Sequence, residues 1–421
     1  MRYVYFQTFG CQMNVADSNE FGSKLFVRGY HPTEDPSLAD LIIVNTCSVR
    51  EHAEQRARVR IGEYARMKKK NAGLWVIGCM AERLGEKLKK EIQGVDEVIG
   101  AKSVGSFDAI LDKVLTDQGA DNEKDTSINE VSDFISIMRG CDNYCAYCIV
   151  PYVRGHEASI PVEQILETVR IKVDRGAKEI TLLGQNVNSY LSNGIDFPDL
   201  LYKVADINGL ERIRFTTSHP KDCSDKLIRS IAEIDKCCKH IHLPVQAGSD
   251  RVLEVMNRRY TSATYRERIT LIKSCMPEAD ITTDILVGFP GETDQDFHDT
   301  LDLVRDVRYT TAFMFAYSVR EGTAAAKMSD TVPEEVKQQR LRELIDLQTE
   351  ITKEMYADMV GKQVELLISG RQEKRDRLWM ARDNGCKRVL IACDNCKAGT
   401  ILHAEVVRTS GMTLICERNR T

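Results

Sequence analysis

Apolar runs separated by helix-like patterns organise the first part of the chain, residues 1–117. Short stretches with strand character alternate there with longer stretches whose apolar residues recur every three to four positions. This alternation predicts an α/β domain, a parallel sheet with helices packed on it. The predicted strands are Tyr3–Phe6, Leu41–Asn45 and Leu74–Ile77, and the predicted helices are Ser18–Arg28, Glu51–Lys69 and Glu82–Ile92. The polar stretch Asp117–Glu130 that follows is typical of a linker.

Six further strand patterns, separated by helix patterns, occupy residues 131–360. They predict a partial (βα)6 barrel, an incomplete form of the eight-unit barrel, with function at the carboxyl ends of its strands. A long amphipathic helix, Glu334–Val360, is expected to pack across the barrel, although a partner-binding role stays open. The six predicted strands are Ile135–Met138, Glu179–Gly184, Arg212–Thr217, His240–Val245, Thr282–Val287 and Thr311–Tyr317.

The remaining segment, residues 361–421, contains only short β-rich stretches divided by glycine and polar turns. Five such stretches in so short a segment predict a small β-barrel, an architecture often used to bind RNA. They are Val364–Ser369, Arg377–Ala381, Val389–Ala392, Thr400–Arg408 and Thr413–Cys416. The predicted domains are therefore residues 1–117, 131–360 and 361–421.

Composition favours a globular protein of two to three domains, since 43% of the 421 residues are hydrophobic and 29% are charged. No apolar run approaches the ~20 residues of a membrane helix, and the N-terminus lacks the layout of an export signal. We therefore expect a cytoplasmic protein without a membrane partner. The 14 cysteines are then expected to be reduced thiols available to metal rather than disulfides.

Charge is distributed unevenly along the chain. The net charge of −5 argues by itself against a nucleic-acid partner, but residues 361–421 hold 12 Lys and Arg against 7 Asp and Glu. An RNA-binding appendage on an acidic enzyme shows this asymmetry, although a solvated basic face looks the same. The candidate phosphate contacts are four basic side chains of one loop, Arg371, Lys374, Arg375 and Arg377.

Three closely spaced cysteines, Cys141, Cys145 and Cys148, carry the strongest chemical signal. Three thiolates hold three irons of a four-iron cluster and leave the fourth iron open, whereas an electron-transfer cluster uses four cysteines. An open iron suits the binding of a small molecule. The alternatives are half of a zinc site or a run of buried cysteines, but a zinc site requires a further Cys or His at suitable spacing.

A second set of cysteines follows the three predicted strands of the first domain. Cys11 comes after the first strand, Cys47 after the second and Cys79 after the third. The carboxyl ends of parallel strands form one edge of a sheet, where open α/β sheets bind ligands. We therefore expect these thiols to converge and to hold a second cluster with one open iron. Three unrelated thiols at strand ends are the alternative.

In these motifs the chain resembles the methylthiotransferases, a family of radical S-adenosylmethionine (AdoMet) enzymes, over nearly its whole length. The matching stretches are FGCQMNVADS (9–18), NTCSVREHAEQR (45–56), IGCMAE (77–82), RGCDNYCAYCIVPYVRG (139–155), GQNVNSY (184–190) and TDILVGFPGET (283–293). The tail is similar to the TRAM domain, the family's RNA-binding module. GQNVNSY favours the branch that modifies N6-isopentenyladenosine in tRNA.

The resemblance implies insertion of a methylthio group at carbon 2 of that adenosine, next to the anticodon, with the tRNA anticodon stem-loop as partner. It implies two 4Fe-4S clusters and AdoMet as cofactors, with AdoMet cleaved at the Cys141/Cys145/Cys148 cluster and sulfur presented by the other cluster. No acid or base in a protein can remove the unactivated hydrogen, so a radical is required. A small electron-transfer protein such as flavodoxin or ferredoxin and a sulfur donor are the further partners expected.

Two alternatives stay within the family: a methylthiotransferase that acts on threonylcarbamoyladenosine in tRNA, or one that acts on a ribosomal protein. From another class, the chain could be a non-catalytic iron–sulfur protein that binds RNA or senses redox state.

The resemblance also implies residues that contact AdoMet at the barrel mouth. Gly184, Gln185 and Asn186 follow the second barrel strand and are expected to bind its amino group, although a simple turn is the alternative. The same choice applies to the glycines after the fifth strand, whose lack of a side chain permits close approach of the backbone. The expected AdoMet contacts are Tyr147, Gly184, Gln185, Asn186, Ser218, Gln246, Gly288 and Gly291.

Two further features leave alternatives open. Arg154 is a candidate for binding a carboxylate or phosphate of the substrate, with a surface ion pair as the alternative. In the tail, Cys386, Cys393, Cys396 and His403 supply enough ligands for zinc, but their spacing fits no common zinc finger.

Overall fold

A computed structural model describes residues 1–48, 51–115, 131–329, 332–372 and 378–418. These residues form two compact units. The first comprises the described part of Met1–Ile128 together with Arg139–Tyr144 and Cys148–Ala158, and the second comprises the rest. The division into three domains at residues 117, 131 and 361 stays a prediction, and the predicted linker lies outside the described residues.

The first unit contains a five-stranded parallel sheet with the order β2-β1-β3-β4-β5. The central strand β3 is buried along its whole length, as expected for a strand covered on both faces. The prediction that the three cysteine-bearing strands are parallel neighbours is confirmed, since β3 pairs with both β1 and β4. The strands are β1 (Arg2–Thr8), β2 (Tyr30–Pro32), β3 (Leu41–Thr46), β4 (Gly73–Gly78) and β5 (Glu97–Gly100).

Helices cover both faces of this sheet and enclose two separate apolar clusters. The helix predicted over Glu82–Ile92 is instead two short helices, because the chain breaks at Gly85, where φ is +52°. The helices are α1 (Gln12–Phe26), α2 (Glu51–Met67), α3 (Cys79–Leu84), α4 (Glu86–Glu91) and α5 (Phe107–Val114).

The second unit contains the six predicted barrel strands. They form two parallel three-stranded sheets, β12-β9-β6 and β13-β14-β15. A parallel bridge pairs Ile213 of β12 with Cys237, three residues before β13 begins, which continues the strand order and agrees with the predicted partial (βα)6 barrel. The six barrel strands are β6 (Ser132–Ser136), β9 (Glu179–Leu183), β12 (Arg212–Phe215), β13 (His240–His242), β14 (Asp280–Val287) and β15 (Thr311–Ala316). Two short pairs lie beside them, β7 (Met138–Arg139) with β8 (Ala158–Ser159) and β10 (Leu191–Ser192) with β11 (Ile195–Asp196).

Local capping explains where several barrel helices begin. The side chains of Ser224, Ser249, Thr261 and Thr293 each accept a hydrogen bond from the backbone of the first helical turn. The predicted long helix is α13, and it packs on α12 and β15 with Leu344 and Ile351 in the barrel core. The helices of this unit are α7 (Val162–Asp174), α8 (Phe197–Ala205), α9 (Asp225–Glu233), α10 (Asp250–Val255), α11 (Ser262–Cys275), α12 (Asp294–Val307) and α13 (Glu334–Ala357), while α6 (Val150–Arg154) belongs to the first unit.

The tail forms a closed five-stranded barrel with the order β16-β17-β18-β20-β19, which confirms the predicted small β-barrel. Its interior is apolar and includes Leu366, Ile391, Val406 and Leu414. The strands are β16 (Gln363–Arg371), β17 (Leu378–Asp383), β18 (Arg388–Ala392), β19 (Ile401–Thr409) and β20 (Thr413–Glu417).

The β17–β18 turn, residues 383–388, attaches the tail to the amino-terminal ends of the barrel strands. Lys387 Nζ donates to Asp280 Oδ2 at 2.7 Å, and the backbone N–H of Cys386 donates to the same oxygen at 2.7 Å. Arg214, at 2.7 Å, donates to the carbonyl of Asp383. Since Asp280, Lys387 and Asp383 are buried, the tail is held by a charged network shielded from water.

Candidate metal centres and cofactor site

The strand ends of the first unit bring Cys11, Cys47 and Cys79 together. Cys11 is the N-cap residue of α1, Cys47 follows β3, and Cys79 opens α3 directly after β4. A Cβ atom placed on Gly10 would lie 2.5 Å from Cys47 Cβ, so the chain beside Cys11 touches Cys47. Gly10 has a φ of +115°, a conformation that glycine adopts without cost.

Electrostatics confirm that the three thiols are close to one another. Burial raises the pKa of Cys79 to about 11; the positive charge of Arg154 opposes the rise, and the nearby Cys47 and Cys11 add to it. A thiol with this pKa is protonated at neutral pH, so metal binding has to displace the proton.

Asn14 holds the strand ends in place around these cysteines. Its side-chain nitrogen donates to the carbonyls of Phe9 and Thr46, both at 2.9 Å, and the Asn45 side chain donates back to the Asn14 carbonyl at 2.8 Å. Asn14 is fully buried. This amide therefore fixes the chain leaving β1 against the chain leaving β3, which sets the separation of Cys11 and Cys47.

Three thiols are the donor set of a four-iron cluster that leaves one iron open. Among the described residues, no three His, Cys, Asp or Glu side chains converge on a point that a single metal ion could occupy. Cysteines that hold a four-iron cluster bind separate irons and remain apart from one another. Three thiols at one sheet edge, with Cys47 and Cys11 near enough to raise the pKa of Cys79, match that requirement.

A buried arginine, Arg258, contacts the sulfur of Cys145 in the CxxxCxxC loop. Arg258 Nη1 lies 3.2 Å from Cys145 Sγ, and the same nitrogen donates to the hydroxyl of Tyr147 at 3.3 Å. Its other nitrogen donates to the Pro244 carbonyl at 2.8 Å. Sequence reasoning missed Arg258, because it follows α10 among polar residues and has the appearance of a surface arginine.

His219 also lies beside Cys145, with Nε2 at 4.0 Å from the sulfur. Burial lowers the pKa of His219 to about 2, and the positive charge of Arg258 lowers it further. The imidazole is therefore neutral and adds no second positive charge to the site.

Polar atoms without a protein partner gather after β9 and β12. Gln185 Oε1, Asn186 Oδ1 and Ser218 Oγ are buried in the described structure without a hydrogen-bond partner, as are both polar atoms of the Asn188 side chain. Buried polar atoms normally have partners. This group therefore fits a polar ligand that AdoMet would supply, and Asn188 is a member that sequence reasoning missed.

Strained backbone marks the same rim. Thr217 after β12 and Gln246 after β13 have φ values of +69° and +72°, which are uncommon for residues other than glycine. Such conformations concentrate at functional sites. Gly288 after β14 has a φ of +71° and donates its N–H to the buried carboxylate of Glu292 at 2.6 Å. Gly291, with φ of +80°, lies in the same loop.

The predicted substrate contacts have different environments. Arg154 is buried and donates to Asn14 and Asp17 in the first unit, at 3.0 and 2.9 Å. Arg371 is exposed at the end of β16. Lys374, Arg375 and Arg377 lie outside the described residues. In the tail, Cys393 and Cys396 are joined in a disulfide, which departs from the expectation of reduced thiols.

None of the described helices combines the length and the apolarity of a membrane-spanning helix.

Comparison with known proteins first identifies the class, the radical AdoMet enzymes. Residues 135–304 match the Radical SAM superfamily, and residues 3–100 match the Uncharacterized protein family UPF0004. The solved structure of the radical AdoMet methyltransferase TsrM from Kitasatospora setae is similar in fold, with a TM-score of 0.59 at 14% identity and 77% of each chain covered. The cobalamin-dependent enzyme OxsB has a TM-score of 0.52 at 12% identity, over 82% of this chain and 56% of that one.

Curated relatives then define the family. The tRNA-2-methylthio-N(6)-dimethylallyladenosine synthase of Chloroherpeton thalassium is 44% identical over 98% of this chain and 95% of its own length. The enzyme of the same name from Caldicellulosiruptor saccharolyticus is 46% identical over 92% of this chain and 86% of its own. The chain belongs to the tRNA-2-methylthio-N(6)-dimethylallyladenosine synthase family.

Proposed function

We propose that this protein is a radical AdoMet methylthiotransferase that inserts a methylthio group at carbon 2 of N6-isopentenyladenosine next to the anticodon of tRNA. The observation that carries the proposal is the pair of separate cysteine triplets in a chain of this family. Two 4Fe-4S clusters and AdoMet are the cofactors. When bound, they supply the one-electron chemistry and the sulfur that no amino-acid side chain provides.

The two triplets take different roles in this proposal. Cys141, Cys145 and Cys148 hold the cluster that binds AdoMet, because their loop lies at the carboxyl end of the first barrel strand, where barrel enzymes act. Cys11, Cys47 and Cys79 hold the cluster that delivers sulfur. Each set leaves one iron without a cysteine, which is the position a reacting molecule requires.

The protein groups around AdoMet bind and orient it. The unpartnered atoms of Gln185, Asn186 and Ser218 suit the polar amino acid portion of AdoMet. Gly288 and Gly291 lie in the loop after β14 that would face AdoMet, and Glu292 fixes that loop through the Gly288 N–H. Arg258 orients the Cys145 thiolate and balances its charge.

The partners follow from the chemistry. The tRNA anticodon stem-loop is the substrate, with Arg371, Lys374, Arg375 and Arg377 as phosphate contacts in the tail. A small electron-transfer protein such as flavodoxin or ferredoxin supplies the electron, and a separate sulfur donor restores the delivered sulfur. A tRNA substrate also favours a cytoplasmic location.

The test separates the two clusters by alanine substitution. Cys47→Ala is expected to leave reductive cleavage of AdoMet intact, measured as 5′-deoxyadenosine, and to abolish 2-methylthio-N6-isopentenyladenosine in tRNA, measured by mass spectrometry. Cys145→Ala is expected to abolish both. Cys275→Ala, a half-buried thiol on α11, is the matched control. Loss of both products in Cys47→Ala, or unchanged tRNA in cells that lack the protein, would contradict the proposal.

A further inference from the structure

Two arginines that flank the CxxxCxxC loop bind one aspartate of α1. Arg139, just before the loop, donates to Asp17 Oδ1 at 2.6 Å, and Arg154, just after it, donates to Asp17 Oδ2 at 2.9 Å. Arg139 also donates to Glu20 at 2.8 Å. Asp17 is therefore shared between two arginines, and Glu20 supplies a second negative charge to Arg139.

Arg154 lies against the N-terminal cysteine triplet. It ends helix α6, and α6 packs on α3 through an apolar cluster of Cys79, Ala101, Ile149 and Val153. The Arg154 side chain is only 4% exposed. It also donates to Asn14, the amide that fixes the strand ends carrying Cys11 and Cys47, at 3.0 Å.

The guanidinium interacts with the thiols as well as with Asp17. Cys11 Sγ lies 3.5 Å from Asn14 Oδ1, the same oxygen that accepts from Arg154 at 3.0 Å, and the packing of α6 on α3 brings Arg154 to Cys79. An arginine guanidinium keeps its charge, so Arg154 is a fixed cation beside Cys79 and Cys11. Three thiolates on a four-iron cluster give the site a net negative charge, which increases on reduction. A fixed cation beside the cluster ligands, shielded from water, favours the more negative state.

We propose that Arg154 is a positioning residue of the N-terminal cluster, where its guanidinium supplies the positive charge that raises the cluster's reduction potential. This inference rests on the proposed function, since it takes Cys11, Cys47 and Cys79 as cluster ligands. It assigns Arg154 to the cluster rather than to the RNA.

The same contact has a second consequence for the loop. Arg154 comes six residues after Cys148. The segment that follows the AdoMet-cluster loop therefore ends beside the cysteines proposed to hold the N-terminal cluster. Arg139 and Arg154 together fasten both ends of that loop to α1 through Asp17. Asp17 therefore connects the segments before and after the Cys141–Cys148 loop to the helix that Cys11 caps.

The experiment isolates the N-terminal cluster in the full chain. A background with alanine at Cys141, Cys145 and Cys148 retains only the N-terminal site, which should hold about four irons. Anaerobic redox titration followed by electron paramagnetic resonance then gives its midpoint potential. Arg154→Gln removes the charge, Arg154→Lys keeps it, and Arg139→Gln is the matched control, because Arg139 shares Asp17 but has Glu20 as its other partner.

Arg154→Gln is expected to shift the equilibrium at least tenfold toward the oxidised cluster, which is about 59 mV for one electron. Arg154→Lys and Arg139→Gln should stay near the background protein. Equal shifts in Arg154→Gln and Arg154→Lys, or no shift in either, would overturn the proposal. If Arg154→Gln fails to bind iron, Arg154→Lys must still bind it with an unchanged potential, and loss of iron from both would also overturn it. Absence of iron from the background protein itself would instead refute the second cluster and the proposed function.

Discussion

Lys387 is a buried cation in the β17–β18 turn, and replacing it with methionine removes that charge at nearly constant volume. Its Nζ donates to Asp280 Oδ2 at 2.7 Å and lies 3.6 Å from Asp383 Oδ2. Asp280 keeps two other donors, the hydroxyl of Thr310 at 2.9 Å and the N–H of Cys386 at 2.7 Å. Lys387→Met therefore leaves two buried carboxylates without a cation between them.

The magnitude follows from the geometry. At 2.7 Å and an effective dielectric constant near 20, the attraction between Lys387 and Asp280 is about 6 kcal/mol before desolvation is subtracted. Removing one partner of a buried pair typically destabilises a protein by about 3–5 kcal/mol, because the other charge stays buried. We expect that loss for Lys387→Met. We expect a much smaller loss for the double variant Asp280→Asn/Lys387→Met, because neither charge remains.

Tryptophan fluorescence provides the assay. The chain has two tryptophans. Trp75 lies in β4, while Trp379 lies in β17, so a Trp75→Phe background reports the tail alone. Urea titration at pH 7.5 then gives the free energy of unfolding. Lys353→Met is the control, since Lys353 pairs with Glu350 at 2.7 Å on the exposed surface and should contribute less than about 1 kcal/mol. Equal losses in Lys387→Met and Lys353→Met would refute the reasoning.

Two further variants test other parts of the molecule. Gly10→Ala should lose about half of the iron, because the added Cβ meets Cys47 Cβ at 2.5 Å and φ is +115°; Gly105→Ala, which meets nothing within 4 Å, is the control, and equal iron in both would contradict this. Burial, aided by Arg214, lowers the pKa of His240 to about 3, so the unfolded chain takes up a proton below pH 6.5 and stability falls as the pH drops. His240→Gln should remove about 2 kcal/mol of the stability change between pH 7.5 and 5 in urea titrations, and an unchanged pH slope would exclude His240 as its source.

The cysteine-bearing strands were predictable because their apolar runs end abruptly at the thiols. Runs such as Leu41–Thr46 are buried throughout and contain β-branched residues, and this pattern depends on local sequence alone. Cys47 and Cys79 were then placed by the general rule that parallel strands end at one edge. The six barrel strands were found by the same reasoning.

Elements that depend on distant contacts were missed. Strand β2, Tyr30–Pro32, has three residues and ends in proline, so no pattern marks it; it forms because it pairs with β1. Helix α1 begins at Gln12, six residues before the predicted start. Its first turns bury Asn14 and Asp17, two polar residues that interrupt the apolar periodicity. They are buried because they bind strand ends and arginines that lie far away in the sequence.

The charged part of the site was hidden for the same reason. No local pattern marks Arg154 or Arg258, because nothing in the neighbouring sequence separates a buried arginine from an exposed one. Only the folded chain shows that one lies beside Cys79 and the other beside Cys145. Parallel pairing of β18 with β20 in the tail likewise follows from barrel closure rather than from local pattern.

Strand β14 connects the point where the tail is anchored to the rim that carries the Gly288 loop. It begins at Asp280, which binds Lys387 of the tail, and it ends at Val287, immediately before the Gly288 loop. Its eight residues span about 25 Å at the usual rise of a strand. The tail is therefore anchored about one strand length away from the Gly288 loop, at the opposite end of β14.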